Sequence, residues 1–197
     1  MSPKGTDTRR RILDVALELF STQGYEKTSL REIAERLDIK KASLYYHFSS
    51  KEALVAALAD RLLEPVDELV TWCEAQPPTA AIRGELLRRL ATLLQGEWSL
   101  WIRFAQANQQ ALLELQNASA TAQLIQERML RLFRMAMGPA DEIHEQLRVF
   151  LAVVAVYIGN TTPAEAWLSG LGITATPDEL RSAALDVALV LAGAAEE

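Results

Sequence analysis

The segment TSLREIAERLDIKKASLYYHF, residues 28–48, has the pattern of two short helices separated by a tight turn. Apolar residues recur in it at the three- and four-residue spacing of an α-helix; they are Ile33, Ala34, Leu37, Ile39, Leu44 and Phe48. Ser29 and Glu32 have the spacing of a capping box, and DIK then turns the chain. We predict helices from about Ser29 to Leu37 and over 41–47, which together form a helix-turn-helix.

The outer side of the second of these helices carries an unusual density of cationic and phenolic side chains. Once the inward-facing apolar residues are set aside, the residues that remain are Lys40, Lys41, Ala42, Ser43, Tyr45, Tyr46 and His47. Ammonium, hydroxyl and imidazole groups donate hydrogen bonds to phosphate oxygens and base edges, and the small Ala42 allows a close approach to a groove floor. The pattern predicts a surface that binds nucleic acid.

Lys51 lies in the first turn of a long fourth helix, which we expect to open with a capping box of Ser49 and Glu52. The helix dipole disfavours a cation at this position by about 0.3–1 kcal/mol. A phosphate bound at the same helix end would remove the conflict and accept hydrogen bonds from backbone amides. A solvated surface lysine is the alternative, and both stay open. Pro65, inside this helix, is expected to kink or break it.

The rest of the chain also has helical periodicity, without the period-two alternation of a strand. A first helix is expected over 7–23, with Gly24 in a left-handed conformation just past its end. The later helices are expected near 80–95, 97–107, 109–137, 140–159, 163–169 and 177–194. The predicted fold is all-α, with a helix-turn-helix domain over 1–51 and a second helical domain over 52–197.

The composition is typical of a folded protein, with 50% hydrophobic residues, and the single cysteine, Cys73, excludes an intramolecular disulfide. The start of the chain lacks the pattern of a signal peptide. The longest apolar run has 11 residues, whereas a membrane span needs about 20. These features predict a cytoplasmic protein that does not enter a membrane. No catalytic group, metal-ligand cluster or phosphate-binding glycine loop is evident, so we predict no enzyme activity, cofactor or metal.

The net charge of −6 argues against a nucleic-acid partner, but the distribution of charge reverses that conclusion. Residues 1–51 contain 10 Lys and Arg against 7 Asp and Glu, whereas residues 52–197 contain 10 against 19. All five lysines lie in the first part. Such a division indicates a basic module joined to an acidic one, with chance as the alternative.

The stretch RRRILDVALELFSTQGYEKTSLREIAERLDIKKASLYYHFSSKEAL, residues 9–54, closely resembles the DNA-binding domain of TetR-type transcriptional regulators. Its most specific parts are ILDVALELFSTQGYEKTSLREIA and ASLYYHFSSKEAL. Residues 55–197 resemble the family only in size and helical character. The resemblance implies a homodimer whose third helix enters the major groove of DNA. It also implies that the second domain holds the subunits together and binds a small effector.

The resemblance further implies roles for single residues. Side chains expected near base edges are Lys40, Lys41, Ala42 and Tyr45. Side chains expected to contact phosphates are Thr28, Tyr46, His47 and Lys51. The remaining members of the predicted DNA-binding set are Ser29, Arg31 and Ser43, of which Arg31 faces the groove in some relatives. The chain departs from the family pattern at Asp38, where the turn usually has glycine, and at Lys40, where a capping serine is common.

The helices at 140–159 and 177–194 are candidates for the implied subunit interface, because small and large apolar residues alternate on their faces. The predicted interface residues are Leu147, Leu151, Val154, Leu180, Ala184, Val187 and Leu191. Packing of one of these faces within the subunit is the alternative.

Aromatic and methionine side chains in the second domain are candidates for an apolar effector pocket with few polar anchors such as Asn108. The predicted ligand-binding residues are Trp98, Trp101, Phe104, Met129, Phe133 and Tyr157. The first three share a helix face because they are spaced by three residues. Plain core packing is the alternative for each ring.

These features together predict a homodimeric transcriptional regulator, a repressor, that binds a pseudo-palindromic operator in double-stranded DNA and is released by a small, largely apolar effector. Two alternatives stay open at this point. One is a regulator controlled by a protein partner, with a filled core in place of a pocket. The other is a helical small-molecule binding protein without DNA function, whose N-terminal helices are structural.

Overall fold

The computed structural model describes residues 3–108, 120–137, 142–160 and 168–194, and these residues form helices and connecting turns without a β-strand. The helices are α1 (Pro3–Thr22), α2 (Leu30–Arg36), α3 (Lys41–His47), α4 (Lys51–Glu74), α5 (Ala80–Leu93), α6 (Glu97–Ala107), α7 (Ala120–Met137), α8 (Ile143–Gly159) and α9 (Pro177–Leu191). The all-α prediction is confirmed. Most of the helix predicted over 163–169 lies outside the described residues. No helix in the described part of the chain has the length and apolar character needed to cross a membrane.

The chain divides into two compact units, each built from two stretches of sequence. The first comprises Met1–Leu63 and Leu100–Ile125, and the second comprises Glu64–Ser99 and Gln126–Glu197. The first unit therefore contains all the residues predicted for the helix-turn-helix domain and extends beyond them. Both α4 and α6 contribute residues to the two units. Pro65 lies next to the division in α4, and the helix continues through it without a break.

The core of the first unit contains residues of α1 to α4 together with the second half of α6. Phe20 of α1 and Phe104 of α6 are fully buried, and their ring centroids are 5.6 Å apart. Tyr25, which follows α1, packs against both rings at centroid distances of 5.4 and 6.3 Å. Aromatic side chains bury about 150–250 Å² each, so this cluster fixes the end of α6 on the helix-turn-helix.

The turn between α2 and α3 sets the orientation of α3 relative to α2. The Asp38 N–H donates to the Glu35 carbonyl at 3.1 Å. The Ile39 N–H donates to the Ala34 carbonyl at 3.0 Å, which completes the pair of bonds of a Schellman motif. Asp38 has a φ of 53°, the left-handed conformation that usually favours glycine. The residue that departs from the family pattern thus adopts the conformation for which glycine is common.

The starts of α2 and α4 are fixed by serine caps. The Ser29 hydroxyl accepts a hydrogen bond from the Glu32 N–H at 3.2 Å, as the sequence predicts. At α4 the Ser50 hydroxyl accepts from the Ala53 N–H at 3.2 Å. The prediction of Ser49 as the cap of α4 is therefore wrong by one residue, because the helix begins one residue later than a Ser49 cap requires.

In the second unit, α8 and α9 pack closely against each other and against α5. Their closest approach is at Gly159, where a Cβ atom would lie 2.3 Å from the Cβ of Ala184 and 3.3 Å from the Leu180 carbonyl oxygen. Only glycine fits here, so α8 and α9 form a tight pair within the chain.

Candidate DNA-binding site

The α3 helix has one buried side and one exposed side. Leu44 is fully buried and Phe48, just after the helix, is 3% exposed, so these two side chains fix α3 on the first unit. On the opposite side Tyr46 is 87% exposed and Tyr45 is 45% exposed. The predicted residues lie in or just before α3, and together they are called the α3 surface: Lys40, Lys41, Ala42, Tyr45 and Tyr46 are exposed, and Ser43 and His47 are half-buried.

Contacts within the α3 surface hold its cations and rings in defined positions. The Lys41 Nζ lies 5.4 Å from the centroid of the Tyr45 ring, and the rings of Tyr46 and His47 pack edge to face at 5.3 Å. Lys40 precedes the helix and makes no capping hydrogen bond with its side chain. The surface offers ammonium, hydroxyl and imidazole donors on a helix, and a helix fits the major groove of DNA.

Arg31 is exposed on α2, and its Nε donates to the Glu35 Oε1 at 2.7 Å. This hydrogen bond raises the pKa of Arg31, whose guanidinium is charged with or without it. A guanidinium has five N–H donors, so the bond to Glu35 leaves others for a phosphate.

Thr28 is buried, in contrast to the α3 surface. Its hydroxyl donates to the Gly24 carbonyl at 2.8 Å and accepts from the Gln23 amide at 3.2 Å. The Thr28 hydroxyl, which was predicted to contact a phosphate, thus makes its hydrogen bonds within the turn after α1. Ser29 is exposed, but its hydroxyl caps α2.

Lys51 is half-buried beside the same turn. Its Nζ donates to the Tyr25 carbonyl at 2.9 Å and lies 4.2 Å from the centroid of the Tyr25 ring. The Tyr25 hydroxyl donates to the Glu52 Oε1 at 2.9 Å. Burial, followed by the contact with Glu52, raises the pKa of Tyr25. Hydrogen bonds from Ser50, from the backbone and from Tyr25 lower the pKa of Glu52.

Comparison with known proteins agrees with this geometry. Residues 12–58 match the model of bacterial regulatory proteins of the tetR family. The HTH-type transcriptional repressor KstR of Rhodococcus jostii (strain RHA1) is 30% identical over 184 residues, which cover 92% of this chain and 78% of KstR. The chain belongs to the TetR family. It is therefore a DNA-binding transcriptional regulator, and the family resemblance of its sequence is confirmed.

Two further relatives of this TetR-family chain differ in the extent of the match. The biofilm operon icaADBC negative transcriptional regulator IcaR of Staphylococcus aureus (strain Newman) is 54% identical over 44 residues, or 22% of this chain and 24% of IcaR. The TetR family transcriptional regulator PfmR from Thermus thermophilus has a TM-score of 0.64 at 20% identity, over 95% of this chain and 100% of PfmR. The second match shows the fold.

The predicted effector residues of this TetR-family chain fall in both units. Trp101 and Phe104 belong to the core of the first unit, and Trp98 is buried in the second. Met129 and Phe133 line an apolar cavity of about 10 Å³ in the second unit. Tyr157 is exposed on α8.

A larger open cleft of about 490 Å³ lies in the second unit, between the end of α4, the start of α5 and the end of α7. Its lining contains none of the predicted effector residues and includes Cys73, Gln76, Ile82, Arg83, Leu86 and Met135. Burial raises the pKa of the Cys73 thiol, so this side chain behaves as a small apolar group.

The predicted interface residues fall into two groups. Leu147, Leu151 and Val187 are 50%, 42% and 53% exposed. Leu180 and Ala184 lie against Gly159 within the chain. The other two, Val154 and Leu191, are half-buried on α8 and α9.

Proposed function

We propose that the chain is a homodimeric repressor that binds a pseudo-palindromic operator in double-stranded DNA and is released by a small effector. The observation that carries this proposal is the α3 surface, where Tyr46 is 87% exposed while Leu44 behind it is fully buried. Two copies of this surface, one in each subunit, would meet successive major grooves about 34–36 Å apart. We expect the protein to act in the cytoplasm, where its DNA target lies.

The exposed apolar side chains of α8 and α9 support the homodimer. Leu147, Leu151 and Val187, together with Phe150 and Val190, are each more than 40% exposed in the single chain. Apolar surface in contact with water is unfavourable by about 25 cal/mol per Å². A second copy of the same two helices would cover this surface in a four-helix interface.

The cleft of about 490 Å³ supports a small effector, because it lies in the range of about 300–1,000 Å³ of small-molecule sites. Ile82, Leu86 and Met135 supply apolar contacts, and Gln76 and Arg83 supply polar ones. The cavity of about 10 Å³ beside Met129 favours a second candidate function, in which a protein partner controls the regulator, since that part of the interior is filled.

Selection of bound genomic fragments by the purified protein tests the function directly, and it yields the operator. Lys51→Ala, which removes a cation for which the family resemblance implies a phosphate contact, should weaken binding to all duplexes and flatten the dependence of affinity on salt by about one phosphate contact. Tyr45→Ala should also change the preferred sequence. Arg89→Ala removes an exposed cation of the second unit and should leave binding unchanged. Absence of binding to any duplex, even in dilute salt, would overturn the proposal.

A further inference from the structure

The backbone of Tyr25 is held by two side chains that are distant from each other in sequence. Its N–H donates to the Asn108 Oδ1 at 3.0 Å. Its carbonyl accepts from the Lys51 Nζ at 2.9 Å. One residue of the turn after α1 thus connects the end of α6 to the first turn of α4.

The Asn108 side chain has a fixed orientation. Its Nδ2 donates to the Phe104 carbonyl at 2.8 Å, which directs the Oδ1 towards Tyr25. Phe104 is itself fully buried between Phe20 and Tyr25. The acceptor that holds the Tyr25 N–H is therefore anchored in the core of the first unit.

The Lys51 ammonium is correspondingly held in one place. It has three N–H donors, of which one goes to the Tyr25 carbonyl, and the Tyr25 ring lies 4.2 Å away. Lysine side chains carry about 2 kcal/mol of rotamer entropy. A lysine that is already fixed loses less of this freedom when its remaining donors bind a phosphate.

We propose that Asn108 is a positioning residue of the DNA-binding site. By fixing the backbone of Tyr25, it holds the Lys51 ammonium at the place where a DNA phosphate binds beside the N-terminus of α4. The inference rests on the proposed function, which gives Lys51 its phosphate. It adds the end of α6 to the determinants of DNA affinity, although Asn108 touches no DNA.

A double-mutant cycle tests this inference with the full-length protein and a mixed-sequence DNA duplex as the probe. Asn108→Ala should weaken binding by about 3- to 10-fold in the wild-type background and flatten the salt dependence towards that of Lys51→Ala. In the Lys51→Ala background the same change should have no further effect. Equal losses in both backgrounds would mean a general structural role and would overturn the inference.

Two further variants distinguish loss of the hydrogen bond to Tyr25 from a general loss of stability. Asn108→Gln retains a neutral amide with an acceptor for the Tyr25 N–H and an N–H donor, so its salt dependence should lie closer to the wild type than to Lys51→Ala even if Asn108→Ala proves unstable. A dependence as flat as that of Lys51→Ala would count against the inference. Asn160→Ala is the matched control. Its Nδ2 donates to the Val156 carbonyl at 2.8 Å at the end of α8, but the Oδ1 has no partner among the described residues.

The outcomes separate this inference from the proposed function. If the wild type binds no duplex, the proposed function fails. If Lys51→Ala alone leaves the affinity and salt dependence unchanged, the phosphate role of Lys51 fails while DNA binding stands. If Lys51→Ala weakens binding and Asn108→Ala does not, only the positioning role fails.

Discussion

The α3 surface and the outer face of α8 and α9 are both exposed, but their chemistry is opposite. On α3 the exposed side chains are phenols and ammonium groups, with Tyr46 87% exposed, and the half-buried His47 adds an imidazole. On α8 and α9 they are aliphatic, with Leu147 50% and Val190 62% exposed. The kind of partner that each surface binds must therefore be inferred from a different physical property.

Polar and charged side chains are stable in water, so the α3 surface indicates a partner only through the density and arrangement of its donors. The exposed aliphatic face of α8 and α9 is unfavourable in water in proportion to its area. Because this free energy is unfavourable, the face indicates a partner that would cover it. A complementary apolar surface is such a partner. Substitutions can test each half of this contrast.

The largest effect is expected from Phe104→Ala, which tests whether α6 is part of the unit that presents α3. Phe104 is fully buried against Phe20, so its truncation should lower the free energy of unfolding by about 3–5 kcal/mol. Urea unfolding followed by circular dichroism measures this change. Arg103→Ala, at an exposed position of the same helix, is the control and should change stability by less than about 0.5 kcal/mol. Unchanged stability of Phe104→Ala would restore its predicted role as an effector contact.

Val187→Asp should weaken the dimer by at least about 100-fold, because it places an unpaired carboxylate inside the proposed interface. The monomer should stay folded, since Val187 is 53% exposed in the single chain. Analytical ultracentrifugation measures the dissociation constant. Ser182→Asp adds the same charge on a different face of α9 and should leave the dimer intact. A Val187→Asp protein that dimerises like the wild type would show that this face is not the interface.

Gly159→Ala should lower the free energy of unfolding by about 1–3 kcal/mol, because the new Cβ would lie 2.3 Å from that of Ala184. The change tests whether the aliphatic face rests on a tightly packed pair of helices. Thermal unfolding is the measurement. Gly170→Ala is the control, since a Cβ there has no atom within 4 Å. Similar losses in both variants would argue against a close crossing of α8 and α9.

Lys40→Ser has the smallest expected effect: it should raise the stability of the protein and lower its affinity for DNA. The serine would supply the missing cap of α3 and raise the free energy of unfolding by about 0.5–1 kcal/mol. Loss of the cation should at the same time weaken DNA binding at low salt. Lys40→Ala loses the cation without adding a cap, so it should bind DNA as weakly but gain no stability. If Lys40→Ser binds as tightly as the wild type, Lys40 makes no contact with DNA.

The sequence predicted the elements that local signals determine. The bounds of α3 and α6 agree with the predicted ranges 41–47 and 97–107. The left-handed Asp38 and Gly96 mark the turns just before these helices, although Lys40 supplies no cap for α3. Which helix face meets which partner depends on tertiary packing. The three-residue spacing predicted one shared face for Trp98 and Phe104, whereas the structure places Trp98 in the second unit and packs Phe104 on Phe20 in the first.

The site was predictable to a similar extent. The exposure of Tyr45 and Tyr46 followed from subtraction of the apolar side of α3, whereas the half-burial of Ser43 and His47 depends on their tertiary neighbours. The burial of Thr28 and the hydrogen bond that the Tyr25 N–H donates to Asn108 could not be read from spacing. The first depends on how the turn after α1 packs, and the second joins residues 83 positions apart.

The left-handed conformation of Asp38 has a consequence for the evolution of such regulators. A non-glycine residue in this conformation is strained by about 1–2 kcal/mol, but glycine loses more chain entropy on folding, by about 0.4–1 kcal/mol. The second term offsets part of the first, so the replacement of glycine by aspartate in this turn changes the free energy of folding by at most about 1–2 kcal/mol. The exchange nevertheless adds a carboxylate beside Lys40, and with it a repulsion for any polyanion. A single codon change at this turn can thus alter the affinity of the protein for non-specific DNA without a change of fold.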